Sequence, residues 1–261
     1  MTFQPYRALV GGSTQGIGRA VAELLARRGC ALTLLARNEA ALQATVAALP
    51  TLANQHHDYL VADFDQPAAV AETVQGYLAQ HPNAFQILVN NTGGPPGGAL
   101  LDAPVAALLL AFQQHIVCNH LLAQALVPGM RAAGYGRIIN VVSTSVKIPL
   151  TGLGVSNTVR GAVASWAKTL ANELGPDHIT VNNVLPGATL TQRHHSLIAK
   201  KTAQTGQPAA AIEAAMLATI PARRFGLAEE VAEAVAFLAS PAAGYINGTS
   251  VPVDGGRTGS L

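Results

Sequence analysis

Short apolar runs rich in β-branched residues alternate along the chain with longer Ala- and Leu-rich stretches. The runs cover residues 8–10, 31–36, 58–62, 87–90, 137–142, 179–185 and 249–253. The stretches of helical length cover 17–28, 39–49, 68–80, 105–133, 161–174 and 228–239. Strands apolar on both faces need cover on both sides, so the alternation predicts an α/β, doubly wound fold with a seven-stranded parallel sheet between helices. No Ser-rich or Pro-rich linker and no repeat divides residues 1–261, which read as a single domain. Only residues 190–224 break the rhythm, with a polar helical insertion holding Arg193, His194, His195, Lys200, Lys201, Arg223 and Arg224. Within 188–224 this reads as a substrate lid or, more plainly, as a solvated helical pair.

Composition narrows the classes. Hydrophobic residues make up 49% of the chain and charged ones 11%, a globular balance. Sixteen basic against fourteen acidic residues, with no basic run, leave no footprint for nucleic acid. The unbroken apolar run 106–112 is far short of the ~20 residues of a bilayer crossing, so no membrane span is expected. Residues 1–8 contain no apolar h-region, and a cytoplasmic location is expected. Cys30 and Cys118 lie in apolar contexts and read as buried spacers, with no disulfide framework and no metal site expected.

The first run opens into Gly11-Gly12-Ser13-Thr14-Gln15-Gly16-Ile17-Gly18, followed by a helix. Gly12 suits a tight turn, Gly16 a close approach of backbone to a pyrophosphate, and Gly18 close packing of helix on sheet. The helix N-terminus at Ile17 would then face the phosphates. A plain turn is the competing reading. After the second run stand Ala36, Arg37 and Asn38, with no carboxylate to meet a ribose 2′-hydroxyl. Arg37, with Ser13 and Thr14, can donate to a 2′-phosphate instead, so NADP(H) is expected in preference to NAD(H). The plainer alternative for Arg37 is an ordinary surface charge.

Asp63 follows the third run, Asn90-Asn91-Thr92-Gly93 the fourth, and Pro186-Gly187 the sixth, while Asp254-Gly255-Gly256 stands near the end. With these motifs, and with Arg224-Phe225-Gly226 and Gly244-Tyr245-Ile246-Asn247-Gly248, the chain resembles the short-chain dehydrogenase/reductase family over nearly its whole length. The resemblance implies a single-domain Rossmann-type fold. It also implies that Asp63 contacts adenine, that Asn90, Gly93, Pro186 and Gly187 line the cofactor, and that Thr191 holds the nicotinamide carboxamide. Gly11 and Thr92 depart from the family's usual Thr and Ala.

Family members move hydride from nicotinamide while a Tyr hydroxyl delivers the proton, supported by Ser, Lys and Asn. By resemblance Asn119 matches the Asn and Ser143 the Ser. The Tyr-x-x-x-Lys pair, one helical turn apart, reads here as Ser156 and Arg160, in Ser156-Asn157-Thr158-Val159-Arg160. That pattern resembles an atypical branch labelled 3-oxoacyl-(acyl-carrier-protein) reductase-like. A Tyr hydroxyl, with a pKa of about 10, can be tuned toward neutrality, whereas a Ser hydroxyl is a far weaker acid. Arg160 can still hold the nicotinamide ribose and favour a developing alkoxide. For the missing proton, Lys147 is the nearest titratable candidate, then His194 or His195. Two classes stay open: an NADP-dependent oxidoreductase acting on a small carbonyl or alcohol, and a cofactor-binding sensor or pseudoenzyme. The resemblance further implies a homotetramer, with the helices from Val105 and Gly161 and residues 245–261 as interfaces. Members that dock acyl carrier protein carry basic residues where this chain has Gly134 and Asp177, leaving only Arg131 and Arg137 nearby, so that carrier is not expected.

Overall fold

The computed structural model describes residues 3, 5–52 and 55–260. Its seven strands are Arg7–Gly11 (β1), Ala31–Ala36 (β2), Asp58–Val61 (β3), Ile87–Asn90 (β4), Gly136–Val141 (β5), Ile179–Pro186 (β6) and Ser250–Val253 (β7). They form one parallel sheet in the order β3-β2-β1-β4-β5-β6-β7. Every expected run is a strand, with no bound moved by more than one residue. The strand order reverses between β1 and β4, which opens a crevice at their C-terminal ends, the place where α/β sheets receive ligands.

Helices Gly16–Arg27 (α1), Glu39–Ala48 (α2) and Pro67–Gln80 (α3) follow the first three strands. One core joins α1 and the late helix Ala228–Leu238 through Leu25, Leu34, Val231 and Val235. The other face of the sheet packs Leu9 and Leu88 against Leu122, Leu126 and Ala167. Cys30 and Cys118 are buried in these cores, and burial pushes both thiols up to about 12, out of reach of ordinary redox chemistry.

Three expectations need correction. The stretch 105–133 is helical throughout but not uniform: Val105–Phe112 (α4) runs through a wider π turn at Gln113–Val117 into Cys118–Ala133 (α5). Such turns are rare and carry a cost, which is why they gather at functional sites. The helix expected from Gly161 begins at Gly154 and runs to Leu174 (α6), because Val155, Val159 and Val163 bury one face despite the poor helix formers around them. Gly154 is needed there, since a Cβ would lie 2.6 Å from the backbone of Leu100. Finally, measured over a window rather than an unbroken run, Val105–Ala133 is long and apolar enough to cross a bilayer, with a mean hydropathy of 1.4. In this fold its second half is a core helix, with Leu122, Leu126 and Met130 buried on the sheet. The insertion forms two helices, Gln192–Thr205 (α7) and Ala209–Ala218 (α8), and the closing helix Ala228–Leu238 is α9.

Asn90, Asn140, Asn183 and Ser250 stand in register on four neighbouring strands. Their side chains form a ladder: Asn90 Nδ2 donates to Asn140 Oδ1 at 2.8 Å, Asn140 Nδ2 to Asn183 Oδ1 at 2.9 Å, and Asn183 Nδ2 to Ser250 Oγ at 3.1 Å. All three asparagines are buried. Asn140→Leu would strand a donor on Asn90 and an acceptor on Asn183, each costing about 1–3 kcal/mol. Urea unfolding is expected to show a loss of roughly 2–5 kcal/mol; an unchanged midpoint would contradict the ladder's role.

Candidate active site

The loop after β1 is shaped by three glycines. Gly12 and Gly16 have φ of +57° and +55°, and a Cβ on Gly18 would lie 2.2 Å from the Gly12 carbonyl oxygen. Asn91 Nδ2 donates to the carbonyls of Gly11 and Gly12, both at 3.2 Å, and so ties the loop after β4 to this one. Ser13 is fully buried, and its Oγ has no hydrogen-bond partner among the described residues. A buried hydroxyl left open just before the α1 N-terminus fits a phosphate oxygen as partner. Thr14 is half-buried beside it, while Ile17 packs onto the core. Thr191 caps α7 by accepting from His194 N at 3.3 Å and faces Gly16 across the crevice. Gly187 lets the end of β6 press against Asp254, where a Cβ would sit 2.7 Å from the Asp254 Cβ. Arg37 is largely exposed, with Nη1 3.9 Å from Asp63 Oδ2, and Gly93 is exposed.

The second cluster lies at the ends of β4 and β5. Ser143 caps the short turn Thr144–Val146, its Oγ accepting from Ser145 N at 3.1 Å. On α6, Arg160 Nε donates to Ser156 Oγ at 3.3 Å, one turn back. Arg160 Nη1 donates to the Val142 carbonyl at 2.6 Å and to that of Val141 at 3.4 Å. Burial, with the charge of Arg193 as a smaller cause, lowers Arg160 to about 10, so it stays protonated at neutral pH. Asn90, Thr92, Asn119, Asn140 and Arg160 line a small cavity of about 10 Å³.

His115 also lines this cavity and was not among the expected site residues. It lies in the π turn, four positions before Asn119, and that one-turn spacing was the available signal. It is buried, and its Nε2 has no hydrogen-bond partner among the described residues. Burial first, and the Arg160 charge second, lower this imidazole to about 3. Of the proton-donor candidates, Lys147 is exposed, and no hydrogen bond joins it to Ser156 or Arg160 among the described residues. His194 packs on Phe225, ring centroids 4.4 Å apart, and lies 4.0 Å from Glu213, so it serves the α7–α8 contact; His195 is exposed. Tyr6 and Tyr135 stack on each other, Tyr77 bonds Asp58, Tyr59 bonds Glu39 and Tyr245 is exposed, so no tyrosine reaches Ser143.

His115 sets a pH dependence. Its folded pKa lies below its unfolded value, so the unfolded state binds the proton more readily, and stability is full above pH ~6.5 and falls as pH drops toward ~3. The slope is at most about 1.4 kcal/mol per pH unit. His115→Gln should flatten the loss between pH 6.5 and 5 relative to wild type in urea unfolding; identical slopes would refute it.

The family described as Enoyl-(Acyl carrier protein) reductase matches residues 12–258. The 3-oxoacyl-(acyl-carrier-protein) reductase FabG of Haemophilus influenzae is 32% identical over 252 residues, 95% of this chain and 96% of that protein. The L-sorbose reductase of Gluconobacter frateurii, solved with NADPH and L-sorbose, is 30% identical with a TM-score of 0.92, covering 100% of this chain and 99% of the other. YwfH, an NADPH-dependent reductase involved in bacilysin biosynthesis, is 28% identical with a TM-score of 0.90, covering 98% and 99%. Agreement of this extent places the chain in the short-chain dehydrogenase/reductase family.

Proposed function

We propose that the protein is an NADP(H)-dependent oxidoreductase that transfers hydride between nicotinamide and a small carbonyl or alcohol, with Ser156 and Arg160 in place of the usual Tyr and Lys. The observation that carries this reading is the position of Arg160. Its permanent charge is held at the end of β5, one residue before Ser143 and bonded to Ser156. A cation so placed lowers the energy of an oxyanion forming at those hydroxyls. The similar reductases whose descriptions name NADPH support the cofactor.

In this reading the loop Gly12, Ser13, Thr14, Gly16, Ile17 and Gly18 receives the pyrophosphate, with Ser13 Oγ as a donor. Arg37 pairs with the 2′-phosphate and Asp63 with adenine. Asn90, Gly93, Pro186, Gly187 and Thr191 border the nicotinamide end, and Arg160 reaches its ribose. Bound NADPH would supply the hydride. Ser143 and Ser156 hold the substrate oxygen, Asn119 shapes the floor, and residues 188–224 close over it as a lid. Ser156 is too weak an acid to protonate an alkoxide unaided, so it relays protons that come from solvent at the exposed Lys147 edge. Losing the positioned Tyr acid costs a factor of about 10² to 10⁴. A sensor or pseudoenzyme is the second reading, favoured by the lack of any tyrosine at the site. A cytoplasmic homotetramer fits the exposed apolar side chains Leu101, Val105, Leu109 and Phe112 around α4, and exposed Tyr245. Acyl carrier protein is disfavoured, since Arg131 is already paired with Asp177 at 2.7 Å.

Two measurements test the reading. NADPH should bind at least about tenfold more tightly than NADH, and Arg37→Ala should remove most of that difference, as loss of a charge-assisted bond requires; equal affinities in wild type would sink the cofactor assignment. Ser156→Tyr with Arg160→Lys should raise reduction of a small dione well above wild type, while either change alone helps little. Wild-type turnover at ordinary family rates would show that another acid is present. Binding of NADPH with no turnover across a carbonyl panel, unrescued by the double change, would favour the sensor.

A further inference from the structure

The loop after β4 reads Gly93-Gly94-Pro95-Pro96-Gly97-Gly98, and cations approach it from two sides. Arg193, in the first turn of α7, donates from Nη2 to the Pro95 carbonyl at 2.9 Å. Arg160 comes from α6. A methyl group built on Gly94 would lie 3.4 Å from Arg160 Nη2 and 3.8 Å from Arg193 Nη2. The two guanidinium groups therefore lie within about 7 Å of each other, close enough for like charges to repel appreciably. One α7 face further on, Lys200 Nζ lies 3.4 Å from the Gly97 carbonyl.

Among the described residues no carboxylate lies within 4.0 Å of Arg160, Arg193 or Lys200, whereas Arg7, Arg28 and Arg131 each hold one. Arg193 also sits at a helix N-terminus, where the helix dipole disfavours a cation. Carbonyl oxygens satisfy the donors of these groups but leave their charge uncancelled. An anion between them reverses both unfavourable terms, and the planar fork of arginine matches a carboxylate. Gly94 has no positive φ to demand glycine; what it contributes is the open space between the two forks. Arg193 is anchored by its bond to the Pro95 carbonyl.

We infer that Arg193 and Arg160 form, across Gly94, a binding site for a carboxylate of the substrate, so that the preferred substrate is a small oxo acid or hydroxy acid. This rests on the oxidoreductase reading and names its substrate class. The carboxylate held at Gly94 directs the carbonyl toward Ser143 and Ser156, and Arg160 faces both ends of the substrate.

The test uses the NADPH-loaded protein and two matched pairs, acetoacetate with methyl acetoacetate and levulinate with methyl levulinate, titrated calorimetrically. At least one acid should bind tenfold or more tightly than its ester. Arg193→Gln should erase that preference while changing NADPH affinity less than twofold, and Gly94→Leu, which fills the gap, should erase it too. Equal binding of acid and ester in both pairs overturns the inference alone. So does an Arg193→Gln variant that loses NADPH affinity as steeply as acid affinity, since the arginine would then serve the cofactor phosphates. Failure of wild type to bind NADPH at all overturns the oxidoreductase reading and the inference with it.

Discussion

The bond from Arg160 Nη1 to the Val142 carbonyl, 2.6 Å long, joins α6 to the end of β5 at the point where the chain turns into Ser143. A guanidinium taken out of water must find acceptors, and here two strand-end carbonyls and the Ser156 hydroxyl provide them. A carboxylate in that role would have compensated burial more fully. It would also have cancelled the charge. Compensation by neutral dipoles keeps the guanidinium satisfied while its field still reaches the crevice, and the chemistry assigned to this site depends on that field.

The polar ladder beneath explains how the strand ends hold position. Asn90, Asn140, Asn183 and Ser250 link four strands through side chains as well as backbone, so the ends of β4, β5 and β6 are tied to one another. Buried polar chains of this kind are rigid when complete and costly when broken. The ladder ends at Asn90 Oδ1, an acceptor without a partner among the described residues, and His115 Nε2 is likewise unpartnered in the wall of the same cavity. Both atoms belong to residues lining the cavity that Arg160 borders, so the ladder couples the geometry of the sheet to the electrostatics of the site.

The sheet was legible in the sequence because its inner strands are buried on both faces and carry near-continuous apolar runs, while the partly exposed edge strands β3 and β7 still stand out as short β-rich runs. The pairing of Ser156 with Arg160 was legible too, because one helical turn is a fixed spacing. The start of α6 was not: Ser156, Asn157 and Thr158 are poor helix formers, and the helix there is held by packing of Val155 and Val159, which no local propensity encodes. The π turn left no periodic mark within an apolar run, and His115 was absorbed into an ordinary helix. Proximity of Arg193 to Gly94 was beyond reach for a different reason. It joins segments about a hundred positions apart through one side chain and one carbonyl, with no repeat to announce it.

These points bear on why serine and arginine occur together. A lysine ammonium is a single compact charge at the end of a flexible stem, whereas a guanidinium presents three nitrogens in fixed directions. In this protein Nε holds Ser156, Nη1 holds the strand end, and Nη2 faces the space at Gly94. One side chain thereby orients the hydroxyl, locks the scaffold and presents charge to a ligand. A tyrosine in place of Ser156 would have to share the Nε side of that fork and would need a tunable cation, which an arginine is not. In the proposed reading, the small serine hydroxyl leaves room, and the fixed charge would take over the stabilisation that a positioned acid otherwise gives. On that reading the pair acts as one coupled change, in which the arginine would make the serine usable and the serine would leave the arginine free to face the substrate.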